Sequence, residues 1–107
     1  MPASREHQPQ RRQLCTLHIN ETDLDVVEVR TAEGQLDIEL YEQTEFLARL
    51  TRHPNGIVIE PEQVLVAMYS NYTELRLALL GSGFFEDTGN REGTSDLEVW
   101  KLLTPEA

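Results

Sequence analysis

Apolar residues recur at every second position from residue 14 to residue 41, which is the period of a β-strand with one buried side. Residues typical of turns interrupt the alternation at positions 20–23 and 32–34. The two clearest apolar runs are Cys15, Leu17, Ile19 and Leu36, Ile38, Leu40. This pattern predicts a three-stranded antiparallel meander with one side toward the core and one side toward solvent.

The middle strand of the meander changes phase, and a β-bulge near residues 26–27 would restore a common inward side. Pairing across the second turn then sets Glu28 opposite Asp37 on the outer side. Pairing across the first turn sets His18 opposite Asp25. Like charges opposite one another cost a little stability, which draws attention to the outer side of this sheet but does not by itself assign it a function.

Two later stretches have helical spacing. Residues 42–53 place Phe46, Leu47 and Leu50 on one side and end at a Pro-Asn-Gly sequence, which predicts a helix. Residues 61–80 begin with a proline suited to the first helical turn and step by three and four to Gly81. They predict either one helix or two, 61–69 and 72–80, because Asn71 has the character of a helix cap. A brief strand at residues 57–59 separates the two stretches.

The C-terminal part predicts a hairpin, in which a short apolar run at residues 84–85 pairs with a final strand at residues 97–103. A long polar loop, residues 86–96, joins them. The fold class is therefore α+β, a mainly antiparallel sheet made of the meander and this hairpin, with two or three helices on one face. We expect a single acidic domain over residues 14–107 after a disordered basic tail, residues 1–13.

The net charge of the 107-residue chain is −10, from nine lysines and arginines against nineteen carboxylates. Because the first 13 residues carry three arginines against one glutamate, residues 14–107 carry −12. This charge repels nucleic-acid phosphates and anionic membranes and favours cationic partners. Eight arginines against a single lysine suggest a GC-rich coding sequence, as in a bacterium or its phage.

Candidate chemistry is sparse along the chain. The single cysteine, Cys15, excludes a disulfide scaffold, and no apolar run is long enough to span a bilayer, so we predict a cytoplasmic protein. Three histidines in separate segments have no metal-ligand spacing, and we predict no catalytic residue, metal or cofactor. Asp87 lies in an Asp-Thr-Gly tripeptide like that of aspartic proteases, so a hydrolase using Asp87 or His18 is the enzymatic exception.

The outer side of the meander is the strongest candidate site, because residues 20–45 hold nine carboxylates against one arginine. We predict a small non-enzymatic regulator or inhibitor, of the accessory type found in phages and bacteria, which docks on a basic protein surface. A nucleic-acid-handling protein would present such a surface. The predicted docking residues are Asp23, Asp25, Glu28, Asp37, Glu39 and Tyr41. If they only keep the domain soluble, an alternative is a small-molecule or divalent-metal-binding module that uses the helix–sheet cleft and the loop 86–96.

A second apolar stripe on the helix predicted at residues 61–80 suggests self-association. This stripe consists of Val66, Tyr69, Leu77 and Leu80. A homodimer would bury it by presenting the same patch twice, whereas a helix packed between the meander and the C-terminal hairpin would bury it within one chain.

Overall fold

The computed structural model describes residues 10–67, 73–93 and 97–103. The strands are β1 (Gln10–Ile19), β2 (Thr22–Arg30), β3 (Leu36–Glu42), β4 (Glu45–Arg49), β5 (Gln63–Val66), β6 (Phe85–Glu92) and β7 (Leu97–Leu102), and the helix is α1 (Thr73–Gly81). One sheet has the strand order β1-β2-β3-β4 and the other has the order β5-β7-β6, with antiparallel neighbours throughout. The mainly antiparallel α+β class is thus confirmed, but the described residues contain one short helix rather than two or three.

The main core lies between the two sheets. Inner residues of the first sheet, such as Val26 and Leu40, pack with Val64 and Trp100 of the second, and Leu79 of α1 is fully buried among them. An antiparallel bridge between Thr51 and Val66 joins the sheets on one side, while α1 packs against β1 and β6 on the other. The two sheets and the helix therefore enclose one continuous core.

A second, smaller core lies on the other side of the three-stranded sheet. Leu65, Leu97 and Val99 are buried there, and Ile57 and Ile59 of the loop 52–62 pack on them. The strand β5 is consequently buried on both sides, which explains its unbroken apolar sequence.

The helix predicted at residues 42–53 is wrong, because this stretch forms the β3–β4 hairpin. Leu47 is the extra residue of a β-bulge in β4, since Leu40 pairs with Ala48 while Tyr41 pairs with Phe46. A bulge puts two consecutive side chains on one side of a strand, which imitates helical spacing in the sequence. The meander therefore has four strands, not three.

The helix predicted from residue 61 is wrong for its first half and right for its second. Residues Gln63–Val66 form β5, whereas Thr73–Gly81 form α1 close to the predicted 72–80 helix. A run of four or five apolar residues fits a strand buried on both sides as well as a buried helix, so periodicity could not separate them. Residues 57–59 form no strand and belong to the loop 52–62.

The predicted strand registers also need correction. Ile19 pairs with Thr22 across a two-residue turn, so His18 lies opposite Asp23 rather than Asp25. Glu28 lies opposite Ile38 rather than Asp37. A β-bulge does occur at the predicted place, where Val26 and Val27 pair with Cys15 and Gln13. Its extra residue, however, is Leu14 in the facing strand β1 and not a residue of β2.

The ends of the predicted domain and loop differ too. Residues 10–13 of the predicted tail belong to β1 and pair with β2, while residues 1–9 lie outside the described residues. The strand β6 extends to Glu92 with an irregularity between Asp87 and Arg91, so the connection to β7 is shorter than the predicted loop 86–96. The final strand is confirmed as β7. No helix in the described ranges is long and apolar enough to cross a membrane.

Candidate functional site

The four-stranded sheet has an inner side toward the main core and an outer side toward solvent, and strand alternation assigns each predicted docking residue to one of them. Asp23, Asp25, Asp37, Glu39 and Tyr41 lie on the outer side, as predicted. Glu28 lies on the inner side with Val26 and Ile38, and is 8% exposed. The structure therefore separates Glu28 from the other predicted residues.

At one end of this sheet, arginines neutralise the carboxylates. The Glu28 carboxylate lies 2.7 Å from Arg12 Nη2 and 3.7 Å from Arg30 Nε. Glu39 accepts hydrogen bonds from Arg11 at 2.7 Å and from the Tyr41 hydroxyl at 2.8 Å. These contacts remove Glu28 and Glu39 from the acidic surface, and two of the three arginines come from the predicted basic tail.

The Tyr41 hydroxyl is part of this outer-side network. It donates to Glu39 and accepts a hydrogen bond from Arg11 at 2.8 Å. The hydrogen bond to Glu39 raises the pKa of Tyr41, with further contributions from burial and from the Glu39 charge, while Arg11 lowers it. The same Glu39 hydrogen bond raises the pKa of Arg11.

Asp37 is buried and structural rather than available for docking. It is 5% exposed, accepts a hydrogen bond from the Thr51 hydroxyl at 2.5 Å, and lies 2.6 Å from His53 Nε2. Arg49 Nη1 is 3.9 Å away. Asp37 alternates with buried residues of β3, so the sequence predicted that its side chain would be solvated. In the structure, Thr51 and His53, which follow β4, cover it.

The opposite end of the sheet, where the β1–β2 and β3–β4 turns lie together, keeps its negative charge. We call it the acidic end, and it consists of Glu21, Asp23, Asp25, Glu42 and Glu45. Four of these carboxylates line an open depression of about 450 Å³ together with His18. Throughout the described residues, no lysine or arginine lies within ion-pair distance of these five carboxylates.

Two members of the acidic end have local polar partners. His18 Nδ1 lies 2.7 Å from Asp23 Oδ1, and both side chains are 71% exposed. Asp25 accepts hydrogen bonds from Thr16 at 2.8 Å and Gln13 at 3.1 Å. This His–Asp pair is open to water, so its geometry favours a surface pair over a general base.

Beside the acidic end lies an aromatic pair on the outer side. The Tyr41 and Phe46 rings meet edge to face with centroids 5.6 Å apart. Phe46 is 52% exposed and its neighbour Leu47 is 45% exposed. Sequence reasoning missed Phe46, Leu47, Glu42 and Glu45 as surface residues because it placed them on or beside a helix.

The other candidate for chemistry, Asp87, is bound by arginines. Arg76 Nη2 lies 2.7 Å from Asp87 Oδ2, and Arg91 Nη1 lies 3.2 Å from Asp87 Oδ1. Partial burial acts to raise the pKa of Asp87, but hydrogen bonds from Arg91 and the Gly89 amide, with the charges of Arg91 and Arg76, lower it overall. Two arginines hold this carboxylate in place, which favours a structural ion pair over a group that activates the nucleophile of a protease.

The alternative ligand site has little support in the geometry. A cleft of about 420 Å³ lies between the turn at residues 33–36 and the loop 52–62, and its described lining residues belong neither to α1 nor to residues 86–93. The described residues contain no group of three or more histidine, cysteine or acidic side chains that could hold a metal ion. Residues 94–96 of the predicted loop lie outside the described residues.

The predicted self-association residues do not share one surface. Val66 is on β5 and 1% exposed, and Leu80 is half-buried against the main core. Leu77 is 62% exposed on α1, and Tyr69 lies outside the described residues. The homodimer stays a prediction, but the described members of the stripe are divided between β5 and α1 and do not form the single helix face on which it was based.

No protein-family model, no curated protein and no solved structure matches this chain. Its function has to be inferred from the geometry and charge described above.

Proposed function

We propose that this chain is a non-enzymatic protein-interaction domain, a regulator or inhibitor that docks on a basic protein surface through its acidic end. The observation that carries the proposal is the segregation of charge within one sheet. Arginines pair with Glu28, Asp37 and Glu39 over the rest of the sheet, whereas the five carboxylates of the acidic end have no arginine or lysine partner in the described residues.

Like-charged groups held together cost folding free energy. A sheet that pairs Glu28, Asp37 and Glu39 with arginines, yet leaves these five carboxylates without a lysine or arginine, therefore supports a binding role. Coulombic repulsion is strongest between close neighbours, and Glu42 and Glu45 are directly opposite one another in the β3–β4 hairpin. A partner that supplies lysines or arginines would relieve this repulsion.

The backbone at the acidic end is also unusual. Among the described residues, the non-glycine residues with positive φ are Asn20, Glu21, Gln43 and Thr44, and all four lie in the two turns of the acidic end. Such conformations cost free energy and are enriched at functional sites. They are the conformations of two-residue hairpin turns, and they place the carboxylates of both turns at one end of the sheet.

Exposed carboxylates act mainly on the rate of encounter and on specificity, because they steer an oppositely charged surface before contact. The proposed partner is therefore a basic protein, and its association should be fast at low ionic strength and slow at high ionic strength. A partner can be isolated by pull-down from the source organism with mass spectrometry.

The test is a charge reversal at the acidic end. The double variant Glu42→Lys and Glu45→Lys should fold normally, because both side chains lie at an open hairpin end, and should lower the association rate constant about tenfold at low salt. Surface plasmon resonance across ionic strengths measures this rate for the isolated partner.

Glu33→Lys is the matched control, since Glu33 is exposed in the turn at the other end of the same sheet. It should leave the rate within about twofold, as expected for a charge outside the contact and largely screened. The double variant changes the net charge by four units and Glu33→Lys by two. A fall for Glu33→Lys at least half as large on a logarithmic scale would therefore mean that only net charge matters, and the acidic end would no longer be the docking site.

A further inference from the structure

The bulge in β4 places two large apolar side chains on the outer surface instead of in the core. Ala48 lies opposite Leu40 on the inner side, so Leu47, one residue earlier, turns outward. Phe46 lies opposite the outward residue Tyr41 and also faces outward. Without the extra residue, one of these two side chains would point inward.

The outcome is a contiguous apolar patch, Tyr41, Phe46 and Leu47, which we call the bulge patch. It lies on an outer strand of the sheet, since β4 pairs along residues 45–49 only with β3 in the described part of the chain. Exposed apolar groups that adjoin one another indicate an interaction site when polar groups surround them. Bulges are common next to functional sites because they redirect side chains.

We propose that the bulge patch is the anchor of the docking surface, and that its occupant is an apolar or aromatic side chain flanked by lysine or arginine on the basic partner. This inference rests on the proposed function and adds the residues that hold the partner after encounter. Aromatic side chains in the centre of an interface commonly supply most of its binding free energy, whereas charges around them contribute mainly to rate.

Charge complementarity determines the kind of occupant. Asp25 pairs with Tyr41 across the β2–β3 ladder, and it lines the depression of the acidic end together with Glu42, which follows Tyr41 in β3. The nearest arginines, Arg11 and Arg49, are already occupied by Glu39 and Asp37. A cation beside the apolar side chain therefore meets free carboxylates, while an anion meets repulsion.

A second copy of this chain fits the patch poorly. A two-fold interface presents the same residues from both copies, so it would bring the carboxylates of two acidic ends to one contact. Each copy also carries a net charge of −10. The occupant is therefore a basic partner and not a second copy.

Two synthetic peptides of equal length and charge test this assignment. In the first, lysine alternates with phenylalanine and leucine; in the second, serine replaces every apolar residue. Backbone amide NMR titration should show the apolar peptide binding at least tenfold more tightly, with shifts centred on residues 41–47. Phe46→Ser and Leu47→Ser should reduce its affinity to that of the serine peptide.

Leu77→Ser is the matched control, because Leu77 is an exposed leucine on α1 outside the patch. It should bind the apolar peptide as the unaltered protein does. Three results would contradict the proposal that the bulge patch is the anchor. They are equal affinity for the two peptides, a loss of affinity in Leu77→Ser equal to that in the patch variants, and a dimer formed through the patch in sedimentation equilibrium. The proposed function fails separately, if Glu42→Lys with Glu45→Lys leaves the salt-dependent binding of the serine peptide unchanged.

Discussion

At the scale of single residues, a polar network around Asp87 connects the helix to the three-stranded sheet. Arg76 of α1 donates to Glu98 at 2.9 Å and to Asp87 at 2.7 Å, and the Trp100 indole also donates to Glu98. In the described residues, every buried side-chain nitrogen and oxygen has a hydrogen-bond partner. Satisfied networks of this kind specify how elements pack, since a lost partner leaves a buried polar group without a hydrogen bond.

The lowered pKa of Asp87 makes a prediction about pH. Because the folded-state pKa is below the unfolded value, Asp87 stabilises the fold above the unfolded pKa, and this contribution disappears as pH falls through the folded pKa. We expect Asp87→Asn to be less stable than the unaltered protein near neutral pH, with a difference that shrinks as pH falls below the ordinary pKa of an aspartate, about 4. Urea unfolding at several pH values measures the difference.

Glu86→Gln is the control for this prediction. Glu86 adjoins Asp87 in β6 but is exposed and makes no ion pair within the described residues. Its effect should be small at every pH. A constant Asp87→Asn difference across the pH range would contradict the ion-pair account.

At the scale of elements, two hairpin turns depart from their usual sequences. Two-residue turns with positive φ at both positions favour Asn-Gly, yet this chain uses Asn20-Glu21 and Gln43-Thr44. Thr44 has φ of 72°, which is costly for a β-branched residue. Sequence reasoning therefore missed the second turn, and with it the strand β4.

Thr44→Gly should stabilise the fold. Glycine relieves a left-handed conformation that costs about 1–2 kcal/mol, and part of this gain is offset by the greater freedom of the unfolded chain. We expect a net increase of about 0.5–1 kcal/mol in the free energy of unfolding, measured by urea denaturation. The charge of the acidic end is unchanged.

The reverse substitution at the other end of the sheet calibrates this result. Gly34 has φ of 88° and no atom near its absent side chain, so Gly34→Ala tests backbone strain alone. It should lower the free energy of unfolding by about 1 kcal/mol or more. A loss of stability in Thr44→Gly would show that the threonine side chain makes a contribution larger than its strain.

At the scale of the whole molecule, α1 closes the core that the sheets leave open. Its inward residue Leu79 is fully buried, while Leu77 on the same helix is 62% exposed. Leu79→Ala should lower the free energy of unfolding by about 2–5 kcal/mol, since it leaves a cavity where the two sheets and the helix meet.

Leu77→Ala should change the free energy of unfolding by no more than about 0.5 kcal/mol, because its side chain is largely in water. Thermal or urea unfolding of both variants compares them within one helix. Similar losses for the two would mean that the helix packs differently or that Leu77 is buried by another molecule.

Local pattern alone determined the parts of this protein that have one buried side. The strands β1 and β3 and the helix α1 alternate apolar and polar residues at a clear period, and a period of that kind follows from a single core-facing side. The excess of carboxylates at residues 20–45 was equally readable, since charge needs no fold to be counted.

Only the tertiary structure decided the rest, because distant residues set it. Two cores bury β5 on both sides and erase its period, and the bulge at Leu47 gives a strand the spacing of a helix. Which carboxylates stay free depends on arginines that approach from far along the chain, such as Arg11 at Glu39 and Arg12 at Glu28. The predicted acidic surface thus became a smaller acidic end beside an apolar patch, through strand pairing that no local pattern encodes.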